Sequence, residues 1–214
     1  MLAWLGGTLL FLDARPTDAT FRWGIPFVIA GEFIRLWACG HLERKGKKLA
    51  TQGPFAYVRN PLYLGNFLIG LGVVTISGRI LNGVLFLGGF WFLYRGTIRK
   101  EEEGLREQFG GSYLRYLREV PRFLPRLTPT SFREKGLFQW RLLLKHREHV
   151  AVSGLLLCSA ALYLQEKTLI QKSLGRREVI AWAVVALAIA TLIGERIWDW
   201  KKNKAKNYKL NCKS

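Results

Sequence analysis

The feature that most limits this chain is the separation of its apolar and charged residues into blocks. Residues 1–12, 61–77, 80–94, 150–164 and 179–194 carry no charge, and 23–39 carry only Glu32 and Arg35. In a water-soluble fold each element keeps a wet face, so polar residues recur every second position in strands or every third to fourth in helices. Blocks that are apolar all round predict helices surrounded by lipid or by other protein. Half of the 214 residues are hydrophobic, which excludes intrinsic disorder. Cys39, Cys158 and Cys212 are odd in number and far apart, so they read as packing or bystander thiols and not as a disulfide scaffold. The expected fold class is all-α: a polytopic helical membrane protein of about six spans, with cytoplasmic interfacial helices. Five spans is the alternative, with residues 1–12 lying in the interface. That first block lacks a basic n-region and a cleavage site, so it is not read as a signal peptide.

The formal net charge is +18. In a soluble domain such a charge points to nucleic acid, but here its placement follows the apolar blocks. Stretches 41–60, 95–149 and 201–214 hold 24 Lys and Arg, against 7 in 13–22, 78–82 and 166–178. The two sets alternate along the chain. The positive-inside bias predicts the first set, and both termini, in the cytoplasm. The basic surface then faces anionic lipid, and no nucleic-acid partner is needed. Trp198 and Trp200, followed by Lys201, Lys202, Lys204 and Lys206, read as an interfacial anchor.

Two strings on the basic side can carry chemistry. The first runs Gly53-Pro54-Phe55-Ala56-Tyr57-Val58-Arg59-Asn60-Pro61-Leu62-Tyr63-Leu64-Gly65-Asn66. Gly53-Pro54 marks a turn. Pro61 suits the first turn of a helix, with Asn60 as its N-cap. Arg59 therefore sits at the positive end of a helix, where backbone N–H groups can hold a carboxylate or phosphate. The plainer alternative is an interfacial turn with Arg59 on a lipid phosphate. The second string is Glu101-Glu102-Glu103-Gly104-Leu105-Arg106-Glu107-Gln108-Phe109-Gly110-Gly111-Ser112-Tyr113. Leu105, Phe109 and Tyr113 recur at four-residue spacing, which predicts a helix packed on one face. Gly110-Gly111 weakens it. Three adjacent carboxylates repel one another, so some should pair with Arg or with a cationic ligand; the plainer alternative is a solvated face. A tight turn at 78–82 joins the intervening blocks into a hairpin, which returns both strings to one membrane face. A cationic group with a carboxylate tail, such as S-adenosylmethionine, would meet Arg at one end and Glu at the other.

At these residues the chain resembles the integral-membrane methyltransferases that include isoprenylcysteine carboxyl methyltransferase and the phosphatidylethanolamine N-methyltransferases. Gly53-Pro54-Phe55 matches the family's Gly-Pro-aromatic turn. Arg59, Pro61, Tyr63 and Gly65 match its Arg-His-Pro-x-Tyr-x-Gly element. Asn60 stands where His is usual, which leaves a ring-stacking or acid–base role for that side chain unsupported. Glu101-Glu102 fits the acidic pair. Leu105, Phe109, Gly110, Tyr113, Tyr116, Val120, Pro121, Arg122 and Pro125 match in register. The resemblance covers about 49–125, a third of the chain.

The resemblance implies a cytoplasm-facing S-adenosylmethionine pocket with lipid-side access for an apolar acceptor. Arg59 and Glu102 would be the catalytic pair. Gly53, Asn60 (through its backbone), Tyr63, Gly65, Glu101 and Glu102 would bind or orient the cofactor. Four regions follow: N-terminal spans 1–48, the methyltransferase core 49–125, an interfacial helix 126–149, and C-terminal spans with a basic tail 150–214. The implied reaction is O-methylation of an isoprenylcysteine-like or other lipophilic carboxylate. A phospholipid amine is the alternative acceptor, and there a carboxylate such as Glu102 would take the proton. Outside this class stand an NADPH-dependent sterol-reductase-like enzyme and a non-catalytic membrane scaffold or transporter. No internal repeat of the transporter kind is present.

A few residues lie outside these strings. Glu32 and Arg35, three apart in a span, can pair on one face and are also functional candidates. His146 and His149 are too few for a metal site, and none is expected. Residues 132–147 mix apolar and charged positions and read as an interfacial helix. Gly65, Gly70, Gly72, Gly83, Gly88 and Gly89 are expected to allow close helix packing.

Overall fold

The computed structural model describes residues 14–42, 49–130, 137–145 and 148–164. Every regular element among them is helical, as the block pattern predicts. In chain order these are α1 (Asp18–Cys39), a 3-10 turn (Gly53–Ala56), α2 (Pro61–Ile76), α3 (Ile80–Glu119), α4 (Trp140–Lys145) and α5 (Glu148–Leu164). The chain divides into two compact units, 1–148 and 149–214. All but α5 belong to the first. The expected spans at 1–12 and 179–194, the 198–206 anchor, Cys212 and His146 lie outside the described residues. So do 132–136 and 146–147 of the expected interfacial helix at 132–147, whose described part, 137–145, holds α4.

α1 starts where Thr17 can cap it. The Thr17 hydroxyl accepts from the Thr20 N–H at 3.2 Å, and the Thr20 hydroxyl accepts from the Thr17 N–H at 2.8 Å. Two exposed-donor problems of a helix start are solved together. Asp18 adds a negative charge to the first turn, where the helix dipole favours it. Pro26 lies in the third turn and does not break the helix. α1 and α2 are antiparallel and pack through glycines. A Cβ on Gly24 would lie 2.6 Å from the Gly72 carbonyl oxygen, and one on Gly31 2.6 Å from the Gly65 carbonyl oxygen. The reverse collisions arise at Gly72 and Gly65, each 2.7 Å from the opposite glycine's oxygen. The pairs are seven residues apart on both helices, the period of a seam between two helices. No larger residue fits there.

Between α2 and α3 the chain reverses at Ser77-Gly78-Arg79. Gly78 has φ +67 and its missing Cβ leaves room for the Arg15 carbonyl. The turn is stitched to the start of α1: the Arg15 N–H donates to the Ser77 carbonyl at 2.8 Å, and the Thr20 hydroxyl lies 3.0 Å from the Ile76 carbonyl. α3 then runs on past the apolar block and into the charged string without interruption. It breaks at Gly110, whose φ of 49 and ψ of −122 are not helical. After the break, Tyr113, Tyr116 and Val120 form a small buried core with Leu49, Leu105, Phe109 and Leu117. The sequence expectation of a weakened helix at Gly110-Gly111 is met as a sharp bend that folds the last turns of α3 back over the segment entering α2.

Among the described residues no helix is long and apolar enough to cross a membrane.

Candidate active site

The site forms where the hairpin opens. The segment 120–130 runs beside 56–59 and is tied to it by three backbone bonds. The Arg59 N–H donates to the Pro121 carbonyl at 2.9 Å, Arg126 N–H to Tyr57 at 3.0 Å, and Thr130 N–H to Ala56 at 3.2 Å. The buried Tyr116 hydroxyl donates to the Phe55 carbonyl at 2.7 Å. Gly110 makes this possible by turning the end of α3 back, so residues some 60 positions apart meet.

The three adjacent glutamates go to three different partners, because successive residues on a helix point about 100° apart. Glu102 faces inward. Its carboxylate accepts from Arg59 Nη1 at 3.2 Å, from Asn60 Nδ2 at 3.4 Å and from Arg122 Nε at 3.1 Å, and Arg122 Nη2 also bonds its second oxygen. Only 11% of the Glu102 side chain and 15% of Arg59 are exposed. Two guanidiniums around one carboxylate leave a local excess of positive charge. Glu101 faces the hairpin mouth and accepts from the Tyr63 hydroxyl at 2.8 Å. Glu103 faces solvent and pairs with Arg99 at 3.1 Å, an exposed contact of small energetic value. The solvated reading of the acidic run thus describes Glu103 and, apart from its bond to Tyr63, the exposed Glu101; only Glu102 is withdrawn from solvent.

Asn60 departs from the expectation placed on it. It is the N-cap of α2 by position, but its side chain makes no capping bond. The amide instead donates to Glu102 and, at 3.2 Å, to the Arg122 carbonyl. It therefore joins both arms of the site. Gly65 faces α1, and a Cβ on Gly53 would lie 2.7 Å from the His41 ring; close approach at both glycines is to protein. Glu32 and Arg35 lie 3.8 Å apart on α1, and the Arg35 guanidinium bonds the Asn66 side chain of α2.

Below the mouth, rings fill the space between α2 and α3. Tyr63 meets Tyr94 edge-on at 5.1 Å, Tyr94 stacks on Phe90 at 4.3 Å, and Phe67 contacts Phe86 and Phe90. Phe123 closes the column from the returning segment, 5.5 Å from Phe67.

Several of these roles were missed from the sequence. Arg122 appeared only as a motif match, although an Arg between two prolines near an acidic pair is a signal. Tyr113 lies beside Glu102, Arg59 and Arg122; burial first, then the Glu102 charge, pushes its hydroxyl above the ordinary range. Gly24 and Gly31 were overlooked, though their spacing of seven matches that of Gly65 and Gly72.

The donor set suits S-adenosylmethionine. Arg59 Nε is buried and makes no hydrogen bond among the described residues. An unsatisfied buried donor costs about 1–3 kcal/mol, so an acceptor such as a ligand carboxylate is stabilising there. Glu101 and the Tyr63 hydroxyl offer an acceptor and a donor for an ammonium or ribose hydroxyls. Among the described residues no group of three His, Cys, Asp or Glu could hold a metal ion.

Comparison with known proteins agrees with this chemistry. Residues 23–112 match the family model described as phospholipid methyltransferase. The chain is 37% identical over 83 residues to the protein-S-isoprenylcysteine O-methyltransferase of Schizosaccharomyces pombe, covering 39% of this chain and 35% of that protein. It is 36% identical over 131 residues to the nickel-cobalt-cadmium resistance protein NccN of Alcaligenes xylosoxydans xylosoxydans, covering 60% of each. It is 38% identical over 97 residues to the cobalt-zinc-cadmium resistance protein CzcN of Cupriavidus metallidurans, covering 44% of each. These matches span between about a third and three-fifths of the relatives' lengths. No solved structure matches the chain. The matched segment takes in α1 from Trp23, α2, and α3 as far as the Gly110 bend, and with it the Arg59–Glu102 pair: through this core the chain is similar to the phospholipid methyltransferases and the isoprenylcysteine O-methyltransferases.

Proposed function

We propose that the protein is an S-adenosylmethionine-dependent methyltransferase of a membrane, acting on a lipophilic acceptor. The observation that carries the reading is the meeting of Arg59 with Glu102, and of Tyr63 with Glu101, at the mouth of one hairpin. When bound, S-adenosylmethionine supplies an activated methyl group on a sulfonium. Arg59 holds the ligand carboxylate, using the buried Nε that has no partner among the described residues. Glu101 and Tyr63 take its ammonium or hydroxyls. Glu102 fixes Arg59 and carries the charge that offsets Arg122. Asn60 holds the returning segment closed, so that water is kept from the reacting atoms. Gly53 and Gly65 support the site by letting His41 and α1, respectively, approach. In this reading alignment is the main demand, because methyl transfer is an in-line displacement.

The favoured acceptor is an isoprenylcysteine-like or other carboxylate, which needs no base. Four relatives at 30–37% identity bear the O-methyltransferase name. A phospholipid amine is the second reading, favoured by the description of the matching family model. It would require Glu101 or Glu102 to accept a proton. Membrane residence is supported by the sides of α1 and α3, where Trp23, Phe33, Trp91 and Phe92 are between 65% and 82% exposed. Rings of that size are rarely left in water in such number. The basic connections would then face the cytoplasm and its anionic lipid.

Calorimetric titration of the purified chain with S-adenosylmethionine, S-adenosylhomocysteine and NADPH separates the classes. Binding of the first two and not of NADPH is expected. NADPH binding alone would turn the reading to a reductase. Mass spectrometry of lipid extracts after incubation with labelled S-adenosylmethionine identifies the acceptor.

A further inference from the structure

The dimensions of the apolar surface define the bilayer it fits. α2 has 16 residues and no charge, a length of about 24 Å. On α3 the uncharged stretch is 80–94, or about 22 Å. Both runs stop at charge. At one end Arg15, Asp18 and Arg22 are exposed around the hairpin turn, beside Arg79. At the other end stand Arg59 and Arg95, the Arg95 guanidinium lying 5.7 Å over the Trp91 ring. A Trp beneath an Arg is the arrangement that marks a headgroup boundary. Trp23, next to Arg22 and 70% exposed, marks the opposite one. A bilayer core is about 30 Å thick, so these helices fall short by roughly 6–8 Å. Tilt only shortens their reach. Polar groups also enter the band from one side: Asn66, bonded by Arg35, is five residues or about 8 Å beyond Pro61.

We propose that α1 and α3, both packed on α2, present a lipid-facing surface matched to a thin bilayer, and that the partner of this surface is phospholipid with short acyl chains. The inference rests on the membrane reading above and extends it. Its consequence is that in thicker bilayers the lipid must thin around the hairpin, which brings headgroups down toward the Arg59–Glu102 mouth.

The test uses the full chain reconstituted in monounsaturated phosphatidylcholine of about 14 to about 22 carbons, with a fixed fraction of phosphatidylglycerol. Flotation after carbonate extraction reads insertion. Quenching of tryptophan fluorescence by brominated lipid of each length reads relative lipid affinity. The expected result is insertion, with an affinity maximum at the short-chain end and a fall of about threefold or more toward the longest lipid. The double variant Arg95→Leu/Arg99→Leu extends the uncharged run of α3 and should move the maximum to longer chains. Insertion with equal affinity at all lengths, a maximum at the longest chains, or no shift in the variant would overturn the proposal and leave the membrane reading standing. Failure to insert in any lipid would remove both.

Discussion

Asn60 illustrates how much one side chain at a junction can hold together. It sits between Arg59 and Pro61, and its single amide nitrogen bonds both the Glu102 carboxylate and the backbone of Arg122. A histidine there would present a ring with a different reach. Arg59→Ala should weaken S-adenosylhomocysteine binding about ten- to a hundredfold, the value of a charged hydrogen bond, as read by calorimetry. Glu102→Gln keeps the shape but leaves two guanidiniums without a counter-charge, and should weaken binding in the same assay. Wild-type affinity in both would displace the site from this mouth. Tyr116 acts on stability instead. Burial pushes its hydroxyl above the ordinary 10.0. Below that pH both folded and unfolded chains keep it neutral, and its contribution is whole. Above it only the unfolded chain ionises freely, so the contribution falls as pH rises toward the folded value. Tyr116→Phe loses the bond to Phe55, at about 1–3 kcal/mol, and the gap between wild type and variant in chemical denaturation should narrow above about pH 10.

At the scale of elements, the glycines divide into those that touch something and those that do not. Gly24, Gly31, Gly65 and Gly72 have carbonyl oxygens of the facing helix against them, while at Gly83, Gly88, Gly96 and Gly104 a Cβ would meet nothing within 4 Å among the described residues. Gly65→Leu must therefore force α1 and α2 apart, and a loss of about 1–3 kcal/mol or more is expected. Gly104→Ala should stabilise by about 0.5–1 kcal/mol, because it only removes backbone freedom from a helix interior. Thermal unfolding in detergent reads both; equal effects would mean that the seam is not a close one. The sequence reading grouped Gly65 and Gly72 with Gly83, Gly88 and Gly89 as packing residues. Only their partners tell them apart. α3 is the reverse case: a single helix carries both the apolar block and the acidic string, so the rigid rod of one sets the height and direction of the other.

For the whole molecule, the hairpin predicts that Arg79 and Arg99 lie on opposite faces of a membrane. Cysteines placed at those positions, in a chain whose Cys39, Cys158 and Cys212 are replaced by Ser, should react with a membrane-impermeant maleimide from opposite sides of sealed vesicles. Labelling of both from one side would rule out a spanning hairpin and leave one that re-enters. The excess of Lys and Arg in 95–149 over 78–82 predicts that the Arg99 side is cytoplasmic.

Helical class, the hairpin, and the two strings at its ends were all legible in the chain alone, because each depends on neighbours in sequence. Long uncharged runs must satisfy their backbone internally, Pro after Asn opens a helix, and Gly-Gly weakens one. Which glutamate of three would face inward depended on a different kind of fact. Glu101, Glu102 and Glu103 are chemically identical, and their roles follow from the rotation of α3 relative to α2 and from the bend at Gly110 that carries Arg122 back. Those are set by helix packing and by contacts between residues 20 to 60 positions apart, and a run of letters holds no record of the angle at which two helices cross.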